Sequence, residues 1–225
     1  MKLLLTSAGI KNASITDALV ELLGKPIEEA SALCIPTAVY VMPGGAGMAW
    51  QLVAGRAQTP LCELGWSSLG LLELTALPSI DPELWVPAVQ ETDVLLVGGG
   101  EGLYLAHWMR HSGLAELFPS LRETVYVGVS GGSMVMAPCI GEEFIGWRPP
   151  DGRDRALGVV DFAIFPHLDN PALPQNTIAA AERWAANLSG PAAAYAIDDQ
   201  TAFKVVGGEV EVVSEGNWRL LEPAR

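Results

Sequence analysis

The stretch VYVGVSGGSM, residues 125–134, decides the fold. Val125–Val129 is an apolar run with a β-branched bias and reads as a buried strand. It runs straight into Ser130, which is boxed by glycines. Gly128-Val129-Ser130-Gly131-Gly132 fits G-x-S-x-G, where a sharp turn between strand and helix admits only small neighbours beside the serine. A serine held this way projects above the carboxyl edge of a sheet. The amide of the next residue, Gly131, then faces the place where an oxyanion would form. The competing reading is an ordinary tight turn, because a short glycine-serine motif is common by chance.

The rest of the chain supplies the sheet. Lys2–Ser7 reads as a strand, and Ser14–Leu23 as a helix with Gly24 as its stop. Ala32–Ile35 is a strand ended by Pro36. The pattern predicts a helix over Gly47–Ala57 and a strand over Leu71–Thr75. DVLLVGGGEG (93–102) is a buried strand entering a glycine-rich loop, with a helix over Leu103–His111. Val160–Phe165 reads as a strand and Asn176–Asn187 as an alanine-rich helix. Near the end, FKVV and EVEVV flank Gly207-Gly208, which is a β-hairpin signature. No repeat or linker interrupts the sequence, so residues 1–225 read as one α/β domain. The expected architecture is a mostly parallel sheet with helices on both faces, a three-layer sandwich, and an antiparallel hairpin at one end.

Composition narrows the function. Lys+Arg number 13 against 26 Asp+Glu, a formal net charge of −13 that repels phosphate backbones and anionic lipid surfaces. Nucleic-acid and membrane partners are therefore not expected. No apolar run reaches the ~18–20 residues of a membrane span, and MKLLLTSAGI reads as a core strand rather than a signal peptide. Cys34, Cys62 and Cys139 lack CxxC spacing and read as reduced thiols, which points to the cytoplasm.

A nucleophilic serine needs a base, and the chain holds three histidines, His107, His111 and His167. His107 and His111 lie four apart on one helix with no evident third metal ligand, so they read as helix packing. His167 follows an apolar run and Pro166, at a strand end where a parallel α/β sheet collects catalytic groups. The loop Gly98-Gly99-Gly100-Glu101 lacks nucleotide-binding spacing. It reads as a second oxyanion donor or as a plain turn.

VGGGEGLYL, GVSGGSM, FPHLDN and AIDDQTA, in this order, resemble the dipeptidase E (aspartyl dipeptidase) family of serine peptidases over nearly the whole chain, with cyanophycinase a more distant relative. The resemblance implies a class I glutamine amidotransferase-like fold and a peptidase that acts on short peptides without metal or cofactor. Carried over, Ser130 matches the nucleophile and His167 the general base, while Gly100 and Gly131 match the oxyanion-binding amides. The triad acid is expected between Ser130 and His167, among Glu142, Glu143, Asp151 and Asp154. The family's acid falls soon after the nucleophile helix, which favours Glu143. Asp198 and Asp199 are read as structural, satisfying backbone amides at a strand end.

Three departures stand out. Gly131 replaces the usual alanine, a change read as conservative. Glu101 replaces the family's asparagine and brings a negative charge near the site. The arginine that holds an aspartate side chain aligns with Glu182, and Arg183 comes one residue later, so a preference for aspartate is not implied. Two further hypotheses remain: a cyanophycinase-like isoaspartyl peptidase, and a non-catalytic module on the same fold. Seven tryptophans leave room for a homodimer interface, with core filling as the alternative.

Overall fold

The computed structural model describes residues 1–150, 152 and 155–223. Along the chain run β1 Lys2–Thr6, α1 Ala13–Leu23, β2 Ser31–Ile35, α2 Gly45–Val53, β3 Ser68–Leu71 and α3 Val86–Glu91. Then come β4 Val94–Val97, α4 Gly102–His111, α5 Leu114–Leu117, β5 Val125–Val129, α6 Gly131–Met134 and β6 Phe162–Phe165. The chain closes with α7 Ile178–Asn187, β7 Ala193–Ile197, β8 Thr201–Val206, β9 Glu209–Ser214 and β10 Trp218–Leu221.

A seven-stranded sheet has the order β3-β2-β4-β5-β1-β8-β9. From β3 to β1 the pairs are parallel, and β8 and β9 join antiparallel. Parallel strands need both faces covered, and side-chain alternation shows how. Leu3 and Leu5 of β1, Leu95 and Val97 of β4 and Tyr126 of β5 enter a core with α3, α4 and α5. Leu4, Leu96, Val125 and Val127 enter the opposite core, against Ile15, Leu19 and Leu22 of α1 and Leu52 of α2. This is the mostly parallel α/β sandwich expected. The α1 helix begins where Asn12 Oδ1 accepts the Ile15 amide at 2.9 Å and ends at Gly24, φ 70°. Gly207 and Gly208 both take positive φ, as a two-residue hairpin turn between β8 and β9 requires.

Two features differ from expectation. β3 lies at Ser68–Leu71 rather than Leu71–Thr75, because Ser31–Cys34 of β2 pair with Ser68–Leu71. After Leu72 donates to the Cys34 carbonyl, the chain leaves the sheet and buries Leu74. A second sheet, β10-β7-β6, was not foreseen. One face packs on α7 through Phe165, Ala194 and Trp184. On its other face Phe162 and Tyr195 each lie 4.9–5.6 Å from an aromatic partner, and both meet Phe203 of the large sheet at 4.9 Å. Among the described residues no helix is long and apolar enough to cross a membrane.

Candidate active site

Ser130 follows β5 and caps α6 with φ 50° and ψ −115°. A non-glycine residue in such a sparsely populated region costs about 1–3 kcal/mol and needs surroundings that enforce it. They do. The Ser130 amide donates to Thr6 O at 3.0 Å, and its carbonyl accepts from Ser133 and Met134. Ser133 Oγ ties the turn to Thr6 O at 2.7 Å, and Tyr126 Oη holds the Gly132 carbonyl at 2.6 Å. A Cβ on Gly128 would lie 2.5 Å from the Gly132 carbonyl oxygen, so the turn closes only without side chains there. The glycines of the opening motif are there to present the serine.

The glycine loop after β4 lies against this turn. A Cβ on Gly99 would come within 3.2 Å of Ser130 Cβ, and one on Gly131 within 2.2 Å of the Gly100 carbonyl oxygen. A side chain at 131 would therefore require the Gly100 backbone to shift, a steric constraint separate from the amide geometry considered in the sequence. The amides of Gly100 and Gly131 donate to no acceptor among the described residues. Glu101, 3% exposed, caps α4 by accepting from the Tyr104 amide at 2.6 Å, and it reaches across to the Gly146 amide at 3.3 Å. Its carboxylate therefore serves backbone amides. Burial pushes its pKa above the usual glutamate range, against those hydrogen bonds.

His167 follows β6 and Pro166 with φ 58°. Its amide donates to Ser7 Oγ at 2.8 Å, which anchors it beside the end of β1. Its Nδ1 meets Asp199 Oδ1 at 2.6 Å. Asp199 Oδ1 also accepts from Ser7 Oγ at 3.3 Å, and Oδ2 accepts from Asn170 Nδ2 at 2.7 Å. Burial raises the Asp199 carboxyl, but hydrogen bonds from His167 and Asn170, with the charges of His167 and Lys11, outweigh it and leave the pKa below the usual aspartate range. In the neutral tautomer that donates Nδ1–H to this carboxylate, Nε2 is the nitrogen open to accept a proton.

The carboxylate on His167 is therefore Asp199, from the β7–β8 turn, and not Glu143. Glu143 sits on the exposed 3₁₀ turn Glu142–Phe144 and makes no hydrogen bond to His167. Glu142 pairs with Arg148 instead. Asp151 and Asp154 lie outside the described residues. Asp198, the neighbour read with Asp199 as structural, does behave that way: it accepts from the Gln200 amide at 3.0 Å and from Thr201 Oγ1 at 2.8 Å. The β7–β8 turn that carries both opens on the same sheet edge as His167, and that position was the signal for an acid from this turn, though not for which of the two. His107 and His111 stack on each other at 5.6 Å and pack edge-on against Trp108.

Ser130, His167, Gly99, Gly100 and Glu143 border one cavity of about 780 Å³. Arg183 borders it as well, whereas Glu182 does not, so the shift of one residue on α7 puts the arginine at the cavity. Arg183 forms no ion pair among the described residues. The rest of the wall is largely apolar and includes Met42, Met48, Leu52, Phe144 and Phe165.

Comparison with known proteins follows the same line. The sequence profile of peptidase family S51 matches residues 3–213. Peptidase E of Escherichia coli O6:K15:H31 (strain 536 / UPEC) and that of E. coli K12 (DH10B) are each 28% identical over 142 residues, 62% of this chain. The match spans 58% of the length of those relatives. Among solved structures, a Listeria monocytogenes EGD-e protein assigned to peptidase E superposes with TM-score 0.65 at 18% identity, covering 96% of this chain and 98% of that one. A peptidase from an acI-B1 actinobacterium superposes with TM-score 0.71 at 17% identity, covering 100% of this chain and 95% of that one. These likenesses establish the fold.

Proposed function

We propose that this chain, which belongs to peptidase family S51, is a serine-type exopeptidase that cleaves short peptides through Ser130, His167 and Asp199. The observation that carries the reading is the His167 Nδ1–Asp199 contact of 2.6 Å in a cavity shared with a strained serine and two unpaired amides. A binding module has no use for that strain, whereas a nucleophile must be held clear of its neighbours.

In this reading Ser130 Oγ attacks the scissile carbonyl carbon and its proton passes to His167 Nε2. The carbonyl oxygen becomes anionic and takes hydrogen bonds from the Gly100 and Gly131 amides. Asp199 steadies the imidazolium. His167 then gives the proton to the leaving amine as the C–N bond breaks, which leaves an ester on Ser130. Water, deprotonated by His167, attacks that ester, and Ser130 recovers its proton.

The size of the cavity supports short peptides, because about 780 Å³ falls within the range of small-ligand sites. Arg183 supports a substrate carboxylate, the group expected of an aspartate side chain. A cyanophycinase-like substrate rich in acidic groups would ask for further cations, and among the described lining residues Arg183 is the one present.

The test is hydrolysis of Asp-X, Ala-X, Leu-X and Gly-X di- and tripeptides by the wild type, Ser130→Ala and His167→Ala. Turnover that both substitutions lower by orders of magnitude supports the serine mechanism. Equal turnover in the variants, or none in the wild type, rejects it.

A further inference from the structure

The cavity has two unlike walls, and the strand order shows how they lie about Ser130. In the large sheet β5, which delivers Ser130, has β4 and then β2 on one side and β1 on the other. The 3₁₀ turn Thr37–Val39 after β2 leads through Met42 into α2, whose Met48 and Leu52 stand one turn apart on one face. Leu52 also fills the space over Gly98, where a Cβ would meet its Cδ2 at 2.5 Å. On the β1 side His167 is anchored to Ser7, and α7 packs on the small sheet and brings Ala180 and Arg183 to the cavity.

Met42 and Met48 are 37% and 41% exposed, although both border an apolar cavity. Thioether side chains standing half in water at a binding site are adaptable surfaces that gain by covering. We propose that Val39, Met42, Met48 and Leu52 form a subsite for one large apolar side chain of the peptide, on the opposite side of Ser130 from Arg183. The subsite rests on the peptidase reading above and adds to it a substrate class. The peptide has a carboxylate-bearing group toward α7 and an aliphatic or aromatic side chain toward α2. Small or charged side chains leave the methionines wet and gain nothing there.

The experiment measures kcat/KM for two dipeptide series, Asp-X and X-Ala, with X as Gly, Ala, Leu and Phe, on the wild type, Met48→Asp and Met48→Ala. The expected result is a rise of about tenfold to hundredfold from Gly to Leu or Phe in one series. Met48→Asp places a carboxylate in the apolar wall and lowers that Leu-to-Gly ratio about tenfold, and Met48→Ala lowers it by less. Because Met48 is exposed, both variants fold, and intact far-UV circular dichroism confirms it. An active enzyme with flat ratios in both series, or a ratio indifferent to Met48→Asp, overturns the subsite alone. A wild type that cleaves no member of either series overturns the peptidase reading, and the subsite falls with it.

Discussion

Replacing Asp199 by asparagine tests the proposed triad where it departs from its sequence-based form. The exchange keeps size and removes charge, and the surroundings determine how the new amide lies. Asp199 Oδ2 accepts from Asn170 Nδ2 at 2.7 Å, so the oxygen of an asparagine must stay on that side. Its NH₂ is then forced against His167 Nδ1, where Oδ1 had been at 2.6 Å. An amide donor there drives the imidazole proton to Nε2, and Nε2 can no longer accept from Ser130. Losing the charge-assisted bond alone removes about 1.5–3 kcal/mol, or about tenfold to a hundredfold in rate. The wrong tautomer adds to this, and a carboxylate-to-amide exchange at this place in a Ser-His-Asp triad costs about 10⁴ in kcat.

The assay is steady-state hydrolysis of the best dipeptide, with Glu143→Gln in parallel. Asp199→Asn is expected to lose about 10⁴ in kcat while Glu143→Gln stays within about tenfold. Adding Asn170→Ala to Asp199→Asn frees the amide to turn over and restores about tenfold. The reasoning is refuted if Asp199→Asn keeps a tenth of the wild-type kcat, or if Glu143→Gln suffers the large loss. Stability gives a second check with a definite sign. A carboxyl whose pKa is lowered on folding stabilises above its unfolded pKa, and the contribution is lost as pH falls through the folded value. The stability gap between wild type and Asp199→Asn therefore narrows below the ordinary aspartate range, as urea midpoints across acid pH will read.

Three more outcomes are expected. Gly131→Ala pushes a methyl group into the Gly100 carbonyl oxygen, which a Cβ would approach to 2.2 Å, so it lowers urea-measured stability by about 1–3 kcal/mol and lowers kcat as well; unchanged kcat would clear the Gly100–Gly131 pair of the oxyanion role. Glu101→Gln removes a buried carboxyl whose pKa is raised in the folded state. Wild-type stability should thus fall relative to the variant as pH rises from the ordinary glutamate range toward that raised value, which urea melts between about pH 4 and pH 7 would follow. Arg183→Ala should raise KM for Asp-X about tenfold or more and barely change it for Ala-X, since a charge-assisted contact is lost for the acidic substrate alone; equal effects on both would separate Arg183 from aspartate recognition.

Much of the fold could be read from the chain because its strands are buried on both faces and so are apolar throughout. Val94–Val97 and Val125–Val129 are of this kind, and glycine-rich turns follow them. The small sheet was hidden for the opposite reason. Trp218–Leu221 is a short edge strand, largely exposed, whose partner Ala193–Ile197 lies across an intervening hairpin. At the site, Ser130 and His167 announce themselves by sitting at strand ends. Asp199 does not, because Asp198 beside it is a turn-former and local sequence offers no means of telling the two apart. Arg183 escaped for a related reason, since a one-residue alignment offset on a helix turns a side chain by ~100° and only the packing of α7 shows which residue meets the cavity.

Ser130 follows a strand of the large sheet, and His167 follows a strand of the small one after Pro166. The proposed reacting pair thus straddles a seam that Phe162, Tyr195 and Phe203 close with ring contacts. A slip of one ångström along that seam would cost about a hundredfold in rate, while every strand in either sheet kept its ladder. Turnover is in this sense a gauge of docking: under mild denaturant the protein would fall silent before its circular dichroism changed.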